Sequence, residues 1–194
     1  MKYRSILLFG APGSGKGTQG KTLGTLPGYF HVACGDVFRG LKLDTELGRT
    51  FVEYSSRGAL VPDEFTVRLW REHIDSNMGA RRFRPERDTL VLDGIPRNLT
   101  QAEILQDTLD VRVVFNLACP DRAALIDRLQ KRALHENRID DANLDVIRTR
   151  LDTYDRESTP VLDFYGPRLV REIDATQSPA EVLRDIMTLV AAKP

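Results

Sequence analysis

The segment Gly10-Ala11-Pro12-Gly13-Ser14-Gly15-Lys16-Gly17-Thr18 directly follows an apolar run, Ile6-Leu7-Leu8-Phe9, and opens a helical pattern. Its glycines free the backbone to curl with its N–H groups turned inward around an anion. The following helix N-terminus adds its dipole, and Lys16 supplies a point charge for terminal phosphates. The spacing matches G-x-x-x-x-G-K, with Gly17 at the usual Ser/Thr place and the hydroxyl at Thr18. A glycine-rich turn that happens to hold a lysine is the plainer alternative, but it would not explain the strand before and the helix after. A dinucleotide fingerprint would not need Lys16. The segment therefore predicts a phosphate-binding loop on a strand–loop–helix unit.

The rest of the chain repeats that alternation. Ile6–Phe9, Thr89–Leu92, Val111–Leu117 and Leu169–Ile173 read as central strands, with a shorter one at Tyr29–Val32. Near-continuous apolar strands suggest a sheet covered on both faces, hence parallel. Asp63, after Pro62, is expected to cap a helix carrying Phe65, Leu69, Trp70, His73 and Ile74. From Asp121 a helix buries Leu125, Ile126 and Leu129, and places Arg128 and Arg132 on one face at i,i+4. From Asn143, Leu144, Ile147, Leu151 and Tyr154 repeat at helical spacing, and Ser178-Pro179-Ala180-Glu181 is a capping box. Strand alternating with helix implies a doubly wound α/β domain.

The 194 residues suffice for one domain with its own core. Lys+Arg and Asp+Glu are 28 each, so the basic excess of a nucleic-acid binder is missing. No run is long enough to cross a membrane. The two cysteines, Cys34 and Cys119, make neither a disulfide framework nor a zinc pattern, and a reducing cytoplasm is the expected setting. His31 and His135 lack companions at metal-ligand spacing and read as structural or surface residues. Cys119, at a strand end, reads as a small buried residue.

A phosphate loop alone fits an ATPase, a switch protein or a kinase. Val91-Leu92-Asp93-Gly94-Ile95-Pro96-Arg97 narrows the choice. It sets a carboxylate at a strand end, where the Mg²⁺ of a bound nucleotide is usually held, directly or through water.

At this point the chain resembles the nucleoside monophosphate kinases, and most closely the short-lid adenylate kinases, over nearly its whole length. The loop Gly10–Thr18 is similar to the family's ATP-phosphate loop. The segment His31-Val32-Ala33-Cys34-Gly35-Asp36-Val37-Phe38-Arg39 resembles the opening of the monophosphate-binding subdomain, and Gly58-Ala59-Leu60-Val61-Pro62-Asp63-Glu64 its close. Asp93-Gly94-Ile95-Pro96-Arg97 with Gln101-Ala102 resembles the central signature. Arg128-Leu129-Gln130-Lys131-Arg132 and Arg138-Ile139-Asp140-Asp141 flank the lid, and Arg150 lies in the next helix.

The resemblance implies a three-layer P-loop kinase fold with a parallel sheet, a small helical monophosphate-binding insertion at 33–61 and a short lid at 131–141. It implies phosphoryl transfer from MgATP to AMP by a monomer, with no nucleic acid or membrane involved. Gly13, Ser14, Gly15, Lys16, Gly17, Thr18, Arg128, Arg132 and Gln177 would serve ATP, the last through backbone near the base. Arg39 and Arg97 would grip the monophosphate, and Gln101 would contact its base beside Cys34, Ala59, Leu60, Val61, Gly94, Ile95 and Pro96. Lys16, Arg97, Arg132, Arg138 and Arg150 would be catalytic, Arg138 and Arg150 also meeting AMP. Asp93 would hold Mg²⁺ through water. The lid segment has no cysteine, which excludes a zinc-bearing lid.

Phosphoryl transfer asks mainly for positive charge around oxygens that share charge in an in-line transition state. Arginine suits this because its planar fork stays charged and binds phosphate bidentately. An acceptor phosphate is its own nucleophile, so no Ser/His/Asp set is required, but closure must keep water out. One departure stands out: many adenylate kinases have threonine where this chain has Cys34, and relatives preferring UMP or CMP often have alanine. Asn98 is also reminiscent of those relatives. A UMP/CMP kinase is thus the alternative within the class, and a P-loop switch or regulatory binding module the alternative outside it. A Cys34 that lines the pocket accessibly would make alkylation inhibitory and AMP protective.

Overall fold

The computed structural model describes residues 2–136, 138, 141 and 143–191. Among these, five strands form one parallel sheet in the order β2-β3-β1-β4-β5. They are β1 (Tyr3–Phe9), β2 (Tyr29–Ala33), β3 (Thr89–Asp93), β4 (Leu109–Ala118) and β5 (Val170–Asp174). The helices are α1 (Lys16–Leu23), α2 (Cys34–Arg39), α3 (Glu46–Ser55), α4 (Asp63–Gly79), α5 (Leu99–Leu105), α6 (Arg122–Glu136), α7 (Leu144–Thr153), α8 (Thr159–Leu169) and α9 (Pro179–Ala191). A π-helical turn, Tyr154–Ser158, joins α7 to α8.

The apolar strands make both faces of the sheet into core. On one side Leu7, Leu90, Leu92 and Val114 pack with Trp70, Ile74, Ala102 and Val161 from the helices. On the other, Ile6, Leu8, Val91 and Phe115 pack with Leu23, Val182 and Ile186. Alternate residues of β1 and β3 thus belong to opposite layers, as the period of two requires. This is the three-layer α/β arrangement of a P-loop kinase fold. His31 is structural: its ring lies so close on α1 that a Cβ at Gly20 would fall 2.2 Å from Nε2. Its pKa is lowered, chiefly by burial.

Local chemistry sets most helix starts. Asn98 caps α5 by accepting the Gln101 N–H at 2.9 Å, and Asn143 caps α7 through the Asp145 N–H at 2.8 Å. Ser178 and Glu181 close the capping box before α9. Asp63 is a correction. Pro62 occupies the cap position of α4 and Asp63 is its first residue, with the carboxylate turned to side chains of α5's start instead. Lys131–Glu136 are the last turns of α6, so the segment 131–141 begins inside a helix. Ile139 and Asp140 of the motif lie outside the described residues.

Candidate active site

Strand register brings the motifs to one edge. Asp93, the last residue of β3, pairs with Leu8 of β1 on one side and Ala33 of β2 on the other. Gly10, Cys34 and Gly94 therefore leave the sheet together at the carboxyl ends of the strands, where α/β sheets bind ligands. On the far side Ala118 of β4 pairs with Asp174 of β5, which brings the Ala175–Gln177 loop to the same edge.

A cleft of about 860 Å³ opens there. Its wall includes Gly13, Ser14, Gly15, Lys16, Gly17, Thr18, Cys34, Arg39, Ala59, Leu60, Val61, Asp93, Gly94, Pro96, Arg97, Gln101, Arg128, Arg132, Arg138, Arg150 and Gln177. Ile95 is the exception. Its side chain is 1% exposed and packs in the core, because the residue between Gly94 and Pro96 faces back into the domain.

The phosphate loop takes its shape from glycine. Gly13 and Gly15 have φ of 86° and 96°, in the left-handed region that disfavours other residues. Lys16 Nζ donates to the carbonyls of Gly10 at 2.7 Å and Ala11 at 3.0 Å, which draws the lysine back over the loop. Burial lowers its pKa to about 8, with Asp93 opposing and Arg97, Arg132 and Arg150 adding to the fall. Tyr154 of the π-helical turn lines the same cleft, and burial pushes its hydroxyl up to about 12, against a lowering influence of the Gly10 backbone.

The arginines are organised by carboxylates. Asp141, fully buried, pairs with Arg132 at 2.6 Å and with Arg150. Asp36 pairs with Arg39 at 2.5 Å and with Arg138 at 3.5 Å, while Arg138 also meets Glu136 at 2.6 Å. Partial burial would raise the Asp36 pKa, but the Arg39 hydrogen bond and the charges of Arg39 and Arg138 outweigh it and lower it. Arg97 folds over Gly94, donating from Nε to its carbonyl at 2.8 Å, and the Arg97 carbonyl accepts Ser158 Oγ at 2.7 Å. Arg128 donates to the Ala175 carbonyl at 2.9 Å, bracing the loop before Gln177. Gln177, also in the cleft wall, donates from Nε2 to the Asp174 carbonyl and to Asp185.

Sequence reasoning did not find Asp36, Asp63, Asp141, Tyr154 or Ser158 as parts of this site. Asp36, Asp63 and Asp141 sit within the motifs given above, Asp36 and Asp141 close to an arginine in sequence, which was the available signal. Tyr154 and Ser158 reach the site only through the fold, from residues outside those motifs.

Cys34 is 2% exposed, and burial pushes its thiol up to about 11, against the pull of Arg97. The accessibility on which inhibitory alkylation depended is therefore not met: Cys34 is in the cleft wall but covered. Cys119 is half-buried at the end of β4, which also corrects its reading as a buried residue. A disulfide reagent in mild alkali is expected to label one thiol quickly and Cys34 slowly, the slow phase accelerating as pH climbs toward 11. Mass mapping of the modified peptides checks the order; prompt labelling of Cys34 would show that burial does not protect it.

Comparison with known proteins agrees with this geometry. The adenylate kinase family model matches residues 8–169. The chain is 37% identical over 195 residues to an adenylate kinase of Thermobifida fusca, covering 97% of this chain and 98% of that protein. The chain belongs to the adenylate kinase family. Two other adenylate kinases place the same weight on it. That of Parabacteroides distasonis is 39% identical over 167 residues, 83% of each chain. That of Cyanothece is 36% identical over 192 residues, 95% of this chain and 94% of the relative. Membership in the adenylate kinase family does not favour the pyrimidine-kinase and switch alternatives. No helix among the described residues is long and apolar enough to cross a membrane.

Proposed function

We propose that this chain catalyses reversible transfer of the terminal phosphoryl group of MgATP to AMP, giving two ADP. The observation that carries this is the shared cleft. A phosphate loop with Lys16 and a separate set of arginines, Arg39 and Arg97, line one space together with Arg132, Arg138 and Arg150. A nucleotide switch needs the first set only.

In this reading the loop N–H groups and Lys16 hold the ATP phosphates, with Arg128 and the backbone near Gln177 beside the adenine. Arg39 and Arg97 grip the AMP phosphate, next to Gln101, Cys34 and Val61. One AMP phosphate oxygen attacks the terminal phosphorus in line, the bond to the bridging oxygen breaks, and ADP leaves. Arg132, Arg138 and Arg150 balance the charge that spreads over the transferring oxygens. No proton needs to be removed by the protein. Water must be kept out, a task for the two helices within 33–61 and the lid 131–141, part of which lies outside the described residues.

Asp93 suits the Mg²⁺ delivered with ATP. Among the described residues no three His, Cys, Asp or Glu cluster as ligands. Asp93 stands alone at the loop, its Oδ2 3.5 Å from where a Cβ of Gly17 would be, so the missing side chain leaves the carboxylate open toward the phosphates. Mg²⁺ keeps several waters and needs one or two carboxylates beside phosphate oxygens, which Asp93 fits. When bound it would neutralise phosphate charge. The cleft is complete within one chain, and we take the working unit to be a monomer.

A coupled assay with MgATP against AMP, CMP, UMP and GMP tests the reading. AMP is expected to be the best acceptor, with two ADP formed per turnover. Turnover only with a pyrimidine monophosphate would overturn the AMP assignment, and phosphate release without an acceptor would overturn the transfer.

A further inference from the structure

The amide of Gln101 is held so that only one of its two orientations is allowed. Its Oε1 accepts the Arg97 backbone N–H at 2.8 Å, and its Nε2 donates to Asp63 Oδ1 at 2.7 Å. A backbone N–H only donates and a carboxylate only accepts, so exchanging oxygen and nitrogen would oppose like groups at both ends. Gln101 is fully buried, and a misdirected amide would find no water in compensation.

Asp63 is itself held from two sides. The same Oδ1 accepts Asn98 Nδ2 at 2.9 Å. Asn98 has no freedom to turn away, because its own Oδ1 caps α5. Asp63 is also the first residue of α4, where the helix dipole favours a negative charge. A helix cap thus fixes Asn98, Asn98 and α4 fix Asp63, and Asp63 fixes Gln101 across 38 residues of sequence.

A carboxamide has two donor hydrogens and two acceptor lone pairs, of which these bonds use one each. The remaining hydrogen and lone pair are offered in a fixed order. A 6-aminopurine presents N1 as acceptor and its amino group as donor, and a 6-oxopurine presents the reverse. A freely turning glutamine would serve either edge; a fixed one serves one. We infer that Asp63 is a positioning residue for base selection, acting through Gln101 so that the acceptor pocket takes 6-aminopurine and refuses 6-oxopurine monophosphates. This rests on the proposed role of Gln101 at the acceptor base.

The test is kcat/KM for AMP and for IMP at saturating MgATP, in wild type, Asp63→Ala and Asp63→Asn. In Asp63→Ala the AMP-to-IMP ratio is expected to fall about tenfold, through loss of one charge-assisted hydrogen bond that sets the amide. The change should appear in KM for AMP and not in KM for ATP. Asp63→Asn keeps an Oδ1 acceptor toward both donors and should restore the ratio. Should the alanine variant not fold, Asp63→Ser reads the same ratio with a hydroxyl too short to reach Gln101. Parallel losses for AMP and IMP, leaving the ratio unchanged, would mean a merely structural role and overturn the inference while Gln101 keeps its place. A wild-type enzyme that does not prefer AMP over IMP would overturn the role of Gln101 as well.

Discussion

Arg138→Ala and Arg150→Ala are each expected to lower kcat by about 10³-fold while moving KM for either nucleotide only a few-fold. Both side chains are mostly buried at the cleft, 13% and 20% exposed, so their charges act where water screens little. They have anionic partners at the cleft, Arg138 in Asp36 and Glu136, Arg150 in Asp141. Those carboxylates hold the forks near the cleft, which favours placement of their charge beside the reacting oxygens. An interaction that strengthens only as charge spreads over the transferring oxygens raises kcat rather than ground-state affinity. Arg150→Lys should rescue little, because an ammonium cannot hold Asp141 and a phosphate oxygen with one planar fork. Steady-state kinetics with both substrates varied, together with nucleotide binding measured without turnover, separates the cases. A modest rise in KM with kcat intact would make these residues holders of substrate and not participants in transfer.

The parts of this site that could be read from sequence are those written in local pattern. Apolar runs of strand length gave the sheet, and the residues immediately after them, Gly10, Cys34 and Gly94, had to emerge at one edge once the strands were parallel. The loop Gly10–Thr18 was legible because its glycines and lysine act on their own backbone. Arginines were legible by motif spacing, but their carboxylate partners were not. Asp63 shows why. After a proline and before a helix its local meaning is a cap, and only the fold reveals that α5 begins beside it, so that Asn98 and Gln101 claim its carboxylate instead. Ile95 shows the converse, a residue inside a binding signature whose own side chain is core. Cys34 lies in the cleft wall, yet its inertness depends on how tightly surrounding segments cover it, and no short stretch of sequence carries that. The π-helical turn Tyr154–Ser158 had the same difficulty, since helical periodicity through Tyr154 gives no sign of the change in pitch.

Lys16→Ala is expected to abolish nearly all turnover and leave the fold intact, with a loss of about 10²–10³-fold in kcat, the scale for removing one charged contact to developing charge. The loop should keep its shape because Gly13 and Gly15, not the lysine, hold its left-handed turns. Stability should not suffer, and the direction follows from the pKa. Lys16 titrates near 8 when folded and near its ordinary 10.5 when unfolded, so between those values the unfolded chain binds more protons. Its contribution therefore favours folding above about 10.5 and is lost as pH falls through about 8. At neutral pH the buried charge is a cost that alanine removes, and the variant should melt no lower than wild type. Phosphates brought beside Lys16 reverse the shift, since a nearby anion favours the ammonium. ATP binding near pH 8 should then take up a proton, visible in calorimetry as a dependence of heat on the buffer's ionisation enthalpy. Lys16→Ala should bind with less of that uptake. Wild-type turnover in the variant would remove Lys16 from the phosphate site, and unchanged proton uptake would assign the titrating group elsewhere.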